Sequence, residues 1–302
     1  MGENMNGKII KALSGFYYVK ADNRKIYECR AKGAFRNEDI TPLVGDNVVF
    51  DVISEAEAVG NVTQILSRKN SLFRPAVANV DQAMVVFAVR QPAPNLSILD
   101  RFLVLMKKQG IETIIVFNKK DLAKVDDIKN LKNTYKKSGC KIYFISAGAE
   151  KTGMMSLKMQ LRGKITVMAG PSGVGKSTIL NALAKTGNDE IAQVGAISSK
   201  VGRGKHTTRH NEIYTINKNY NIVDTPGFTS LLVSEDDVSK EELKEYFEEF
   251  GAYESKCPFK DCAHIKERDC AVRKAVEDGN IPLTRYNSYK SIYEEMKSQK
   301  KY

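Results

Sequence analysis

Residues 164–184 read Lys164-Ile165-Thr166-Val167-Met168-Ala169-Gly170-Pro171-Ser172-Gly173-Val174-Gly175-Lys176-Ser177-Thr178-Ile179-Leu180-Asn181-Ala182-Leu183-Ala184. An apolar run with strand character feeds a glycine-rich loop of the form G-x-x-x-x-G-K-[ST], and a helical stretch leaves it. In that context the glycines let backbone N–H groups turn inward around phosphates at a helix N-terminus. Lys176 then reaches the outer phosphates, and the Ser177 hydroxyl is a ligand for Mg²⁺. Gly170, Pro171, Ser172, Gly173, Val174, Gly175, Lys176, Ser177 and Thr178 are therefore assigned to a phosphate cradle. A plain Gly/Ser turn ahead of a helix is the competing reading, and the strand before the loop weighs against it.

About fifty residues before this loop, the apolar run Thr113-Ile114-Ile115-Val116-Phe117 ends in Asn118-Lys119-Lys120-Asp121. A buried strand there would put Asn118 and Asp121 at its C-terminal end, where open α/β sheets bind ligands. The Asp121 carboxylate suits the N1–H and 2-amino donors of guanine, which adenine lacks. Asn118 is expected to tie this loop to the glycine-rich one, with the Lys119 stem lying over the base. Taken alone the tetrad also reads as a helix-start turn. A second strand, Lys141-Ile142-Tyr143-Phe144-Ile145, ends in Ser146-Ala147, where GTPases present a backbone N–H to guanine O6. Two such elements at consecutive strand ends favour a base reader, and a GTP-binding domain with its parts in rotated order is the leading expectation.

After the helix, Asn221-Ile222-Val223-Asp224-Thr225-Pro226-Gly227 reads as a strand running into a turn. Asp224 suits Mg²⁺ held through water, and the Gly227 N–H is placed to sense a γ-phosphate. Between them, residues 195–210 are rich in Gly, Lys and Arg and lack an apolar period; either Thr207 or Thr208 is the candidate Mg²⁺ ligand. Phe228 follows Gly227, where many GTPases carry a water-orienting Gln. His206 is the nearest polar candidate for that role, against the alternative of a solvated or RNA-facing imidazole.

Cys257, Cys262, His264 and Cys270 lie within fourteen residues, spaced C-x₄-C-x-H-x₅-C. Three thiolates and one imidazole complete a closed tetrahedral Zn²⁺ site, which is structural rather than catalytic. The stretch between them is polar and too short for its own core, which is where a metal staple is needed. Chance clustering of small cysteines is the competing reading. Cys29 and Cys140 read as isolated packed thiols.

Taken together, Asn118 through Asp121, Ser146-Ala147, Gly170 through Thr178, Gly204-Lys205-His206-Thr207-Thr208, Asp224 through Gly227 and the Cys257/Cys262/His264/Cys270 knuckle resemble the circularly permuted GTPases of small ribosomal subunit biogenesis, the RsgA/YjeQ type. The resemblance covers nearly the whole chain. It implies an N-terminal OB barrel, a permuted GTPase domain and a helical zinc domain that dock on the 30S subunit. It also implies ribosome-stimulated hydrolysis, with the switch-loop histidine matching His206 involved.

Composition agrees. The chain has 302 residues and a formal net charge of +11, which points to a polyanionic partner; the resemblance implies that this is the 30S subunit and its 16S rRNA. No stretch approaches eighteen apolar residues and the first residues lack a signal-peptide core, so no membrane role is expected. Cysteine usage fits a reducing, cytoplasmic setting. A monomer binding GTP and GDP with Mg²⁺ and one structural zinc is the expected species.

Residues 1–68 hold short strands broken by Gly, Asn and Asp turns, as in a small antiparallel barrel. Pattern alone leaves an OB fold and an SH3-like barrel open, and the resemblance favours OB. Arg68 through Pro75 reads as a basic linker. The GTPase domain is expected over 69–232 and the helical zinc domain over 233–302. In the latter, Ser239-Lys240-Glu241-Glu242 reads as a capping box opening one helix with Leu243, Phe247 and Phe250 on a shared face. Helices over 271–278, stopped at Gly279, and through Tyr286, Tyr289, Ile292, Tyr293 and Met296 follow. The functional expectation is a ribosome-stimulated GTP hydrolase; a nucleotide-gated RNA-binding assembly factor with incidental hydrolysis is the rival, and an ATP-dependent protein is disfavoured by Asp121.

Overall fold

The structure, a computed structural model, describes residues 4–31, 35, 41–72, 75–148, 150–184, 212–224 and 238–298. They fall into two compact units. The first comprises Met1–Gln82, Lys158–Met168 and Leu183–Pro226; the second comprises Ala83–Leu157, Ala169–Ala182 and Gly227–Tyr302.

Five strands close the N-terminal barrel: β1 (Asn4–Leu13), β2 (Phe16–Ala21), β3 (Ile26–Ala31), β4 (Asn47–Ser54) and β5 (Val59–Ile65), in the order β1-β2-β3-β5-β4. β1 also pairs with β4, and β3 runs parallel to β5. That Greek-key order is OB-like and resolves the ambiguity that strand spacing leaves. The β1–β2 hairpin turns on Ser14 (φ 49°) and Gly15 (φ 84°), the two positive-φ positions that a two-residue turn requires. Ile9, Val19, Tyr27, Cys29, Val48, Phe50 and Val62 fill the interior with no exposed surface.

The segment from Arg68 is not a free linker. Arg68 forks onto Asp46, Nε to Oδ1 at 2.7 Å and Nη2 to Oδ2 at 2.8 Å. The backbone then pairs β6 (Ser71–Leu72) with β7 (Val77–Ala78). The reason is Asp46, which is fully buried on the barrel side and needs a partner for its charge.

A six-stranded sheet follows, with β8 (Gln82–Ala88), β9 (Thr113–Asn118), β10 (Lys141–Phe144), β11 (Ile165–Ala169), β12 (Ile213–Ile216) and β13 (Tyr220–Asp224) in the order β10-β9-β8-β11-β13-β12. Every residue of β8, β9 and β11 is buried, as parallel strands covered on both faces require. Its helices are α1 (Leu96–Lys108), α2 (Val125–Tyr135), α3 (Met154–Leu161) and α4 (Lys176–Ala184). α1 opens on Asn95, whose side chain accepts the Ile98 N–H at 3.2 Å, and it is buried from Leu99 through Met106.

In the C-terminal segment the structure divides what the sequence reads as one helix. A 3₁₀ turn spans Leu243–Tyr246, and α5 spans Glu248–Glu254. Between them Phe247 leaves helical geometry at φ −108°, ψ 82°. Leu243, Phe247 and Phe250 are nonetheless all buried, so burial of the apolar face overrides helical continuity. α6 (Ala271–Glu277) ends before Gly279 at φ 73°, and α7 (Leu283–Ser298) buries Tyr286, Tyr289, Ile292 and Met296. Among the described residues no helix is long and apolar enough to cross a membrane.

Candidate nucleotide site and metal centre

β9 delivers Asn118 to its C-terminal end, and β11 delivers Gly170 to the end of its own strand. The glycine-rich loop then bends back because Gly170 (φ 144°) and Gly175 (φ 94°) occupy conformations that L side chains rarely adopt. Space enforces the same choice. A Cβ on Gly170 would overlap the Val86 carbonyl oxygen, and one on Gly175 would overlap Nδ2 of Asn118.

Asn118 is 2% exposed and joins three loops. Its Nδ2 donates to the Val174 carbonyl at 2.9 Å, inside the glycine-rich loop, and its Oδ1 accepts the Ala147 N–H at 3.1 Å. Lys119, in the left-handed region at φ 60°, sends Nζ to the carbonyl oxygens of Gln91 and of Gly173, the latter at 2.7 Å. Lys120, Asp121 and Leu122 form a 3₁₀ turn, so the tetrad is both a turn and a loop anchored to its neighbours. The Asp121 N–H donates to Ser146 Oγ at 3.0 Å, and the Asp121 side chain lies on an exposed residue. The Ser146 N–H donates to the Thr152 carbonyl at 2.9 Å. With the Ala147 N–H on Asn118 as well, both amides of that loop are engaged within the protein.

Lys176 Nζ donates to the carbonyls of Gly170 and Pro171, each at 2.7 Å, which holds its charge within the loop. Ser177 and Thr178 occupy the first turn of α4, where N–H groups at a helix start favour anions. In the sheet register Asp224 is the partner of Met168, two positions before Gly170. His206, Thr207, Thr208, Gly227 and the neighbouring Thr225, Pro226 and Phe228 lie outside the described residues, as does the Asp224 side chain.

Cys257, Cys262, His264 and Cys270 come together with all four ligand atoms within 4.8 Å of one another. His264 Nδ1 lies 3.3 Å from Cys270 Sγ and 3.7 Å from Cys257 Sγ, and those two sulfurs are 3.9 Å apart. A zinc ion with Zn–S of about 2.3 Å and Zn–N of about 2.1 Å separates its ligands by roughly 3.6–3.8 Å, close to these spacings, so the cluster could hold one. Burial lowers the His264 pKa to about 4, keeping the imidazole neutral as a ligand must be. Burial pushes the Cys262 thiol up to about 12 and raises Cys270, so both are protonated until a metal displaces the proton.

Sequence reading passes over Glu267, which organises this knuckle. Its carboxylate accepts the Ala263, Ile265 and Lys266 N–H groups at 2.8, 2.8 and 2.9 Å. Burial alone would raise its pKa, but these backbone donors outweigh it and leave the group lowered. From α7, Tyr286 and Tyr289 donate to the carbonyls of His264 and Ala263 at 2.7 and 2.6 Å. Phe250 meets the His264 ring edge-on at 5.8 Å. Those tyrosines are thus core residues that brace the metal loop.

Family models describe the same two parts. The RsgA GTPase model matches residues 65–234, and the RsgA N-terminal domain model matches residues 6–59. The chain belongs to the RsgA GTPase family. It is accordingly a GTP-hydrolysing enzyme with a permuted GTPase domain, an OB-like barrel and a C-terminal helical segment carrying the Cys₃His cluster. An RsgA relative from Agathobacter rectalis, named a small ribosomal subunit biogenesis GTPase, is 46% identical over 99% of this chain and 100% of its own length. The crystal structure of YjeQ from Thermotoga maritima aligns with a TM-score of 0.82 at 35% identity, covering 99% of this chain and 100% of that one. YloQ, described as a circularly permuted GTPase, aligns at 0.78 and 36%, covering 99% and 98%.

Proposed function

We infer that this RsgA-family protein binds GTP at the ends of β9 and β11 and hydrolyses it while acting on the small ribosomal subunit during its biogenesis. The observation that carries the reading is Asn118, which fastens the base-reading tetrad, the Ser146-Ala147 loop and the glycine-rich loop to one another. In this assignment Asp121 accepts the N1–H and 2-amino groups of guanine. The Ala147 N–H turns from Asn118 Oδ1 to guanine O6 when the base arrives. Lys176 leaves the Gly170 and Pro171 carbonyls for the β- and γ-phosphates and neutralises charge as the terminal bond breaks. Mg²⁺, held by Ser177 and by Asp224 through water, would supply further charge neutralisation at the phosphates.

His206 orients the attacking water, one of Thr207 and Thr208 would be a further ligand for Mg²⁺, and the Gly227 N–H senses the γ-phosphate. Zinc in the knuckle is structural. The barrel, residues 1–68, and the helical zinc domain, residues 233–302, contact 16S rRNA, the GTPase domain spans 69–232, and the protein works in the cytoplasm as a monomer. Names borne by the relatives and the net charge of +11 support the ribosomal part.

Single-turnover hydrolysis with and without purified 30S subunits tests this. Stimulation by the subunits is expected, and His206→Ala should remove most of it, by about 10²–10⁴-fold, with GTP affinity spared. Near-parental stimulated hydrolysis by that variant would remove His206 from the mechanism and leave the GTP site standing.

A further inference from the structure

Away from the proposed nucleotide site, one buried arginine ties together elements that start at that site and elements that brace the metal knuckle. Arg285, on α7, is 1% exposed. Its Nη1 donates to Asp100 Oδ1 on α1 at 2.6 Å, and Nε and Nη2 donate to the two carboxylate oxygens of Glu249 on α5 at 2.6 and 3.2 Å. Asp100 Oδ1 also accepts Tyr135 Oη, from the last residue of α2, at 2.9 Å. The guanidinium lies 4.6 Å from the Phe247 ring centroid and 5.4 Å from that of Tyr135. Asp100, Tyr135 and Glu249 are all buried, so the hub is closed to water on every side.

Each arm has a destination. α1 starts at Leu96 behind the short stretch that leaves Gln91, whose carbonyl is held by Lys119 Nζ together with that of Gly173 in the glycine-rich loop. α2 starts just after the turn that contains Asp121. On the other side, the neighbours of Arg285 on α7, Tyr286 and Tyr289, hold the carbonyls of His264 and Ala263. Each of the two loops is therefore joined to the hub by one helix, and the hub is joined to the knuckle residues by one further helix. Buried ion networks tolerate little distortion, because separating the charges exposes each to a low-dielectric interior.

We propose that Arg285 is a positioning residue that couples guanine-nucleotide occupancy to the rigidity of the metal knuckle. This rests on the nucleotide-site reading above. Nucleotide holding Lys119, Gln91 and Asp121 in place holds α1 and α2 in place, and through Asp100, Tyr135 and Arg285 holds the loop carrying His264.

The test is the rate at which zinc-loaded, full-length protein gives up zinc to a colorimetric chelator, with and without saturating GDP. GDP should slow the loss by about fivefold or more, the lower end of ordinary coupling between sites. In Asp100→Asn/Glu249→Gln/Arg285→Met, which replaces the ion network by neutral groups, GDP and zinc should still bind and the rates with and without GDP should coincide. Tyr135→Phe, which removes one hydroxyl and keeps the charges, should reduce the GDP effect at least about twofold; it decides the matter if the triple variant does not fold. No GDP effect in the parent protein, or an undiminished effect in whichever variant folds, overturns the coupling. GDP titrations on the same samples separate the two failures: absence of GDP binding refutes the nucleotide site, whereas binding without an effect on zinc refutes only the role of Arg285.

Discussion

Replacing Asn118 by Ala removes a side chain that bonds to both the glycine-rich loop and the Ser146-Ala147 loop. Two hydrogen bonds are lost, at 2.9 and 3.1 Å, and each leaves a partner behind: the Val174 carbonyl and the Ala147 N–H, on residues 1% and 4% exposed. A buried polar group left unpaired costs about 1–3 kcal/mol. Some relief comes from water reaching the loop edge, so a net loss of about 2–4 kcal/mol in unfolding free energy is expected. Only the Val174 bond persists when the Ala147 N–H turns to guanine O6, so its loss is the part that should appear in nucleotide binding, because a glycine-rich loop no longer fixed in the free protein must be ordered by the ligand. If only about 1.4 kcal/mol of the loss falls on the bound geometry, affinity drops tenfold. Urea unfolding with and without GDP, paired with calorimetric titration of GDP, measures both quantities. A variant with a lowered unfolding midpoint and a GDP dissociation constant within about twofold of the parent would show Asn118 to be a brace unrelated to the nucleotide.

Gly175→Ala should act through the same contact, since its Cβ would overlap Asn118 Nδ2 at a backbone φ of 94°; a double-mutant cycle with Asn118→Ala should show coupling of at least about 0.5 kcal/mol in GDP binding. Arg68→Met leaves the buried Asp46 carboxylate without its guanidinium partner, though still with the Leu43 N–H, and should destabilise the protein by at most about 3–5 kcal/mol, with much of the loss recovered in Asp46→Asn/Arg68→Met, as read by thermal unfolding. Zinc binding should release protons, because burial holds the thiols of Cys262, at about 12, and Cys270 protonated in the metal-free knuckle. The sign follows: apparent zinc affinity rises with pH, while His264, neutral down to about 4, adds no proton release near neutrality. Calorimetry in buffers of different ionisation heat counts those protons, and a count of zero would contradict the assignment.

The parallel strands β8, β9 and β11 are legible as largely apolar runs, and the glycine-rich loop is legible because its chemistry is local. Glycines at 170, 173 and 175 and a lysine at 176 suit a phosphate cradle whatever surrounds them. The Cys₃His set is legible for the same reason, since donor type and spacing suffice to suggest a metal. Distant pairings are not written that way. Nothing near Arg68 announces that it will pair with Asp46, and a basic, Pro-containing stretch looks like a linker until the buried carboxylate is seen. Glu267 among polar neighbours reads as surface charge; only the fold of the knuckle turns three N–H groups onto it. Arg285 is separated from Asp100 by 185 positions, and its role exists only once α1, α5 and α7 have packed. Sequence by itself therefore determined the chemistry that short segments carry in their own backbone and side chains. Tertiary structure alone decided which buried charges meet, because desolvation makes a charge seek a partner wherever in the chain that partner lies.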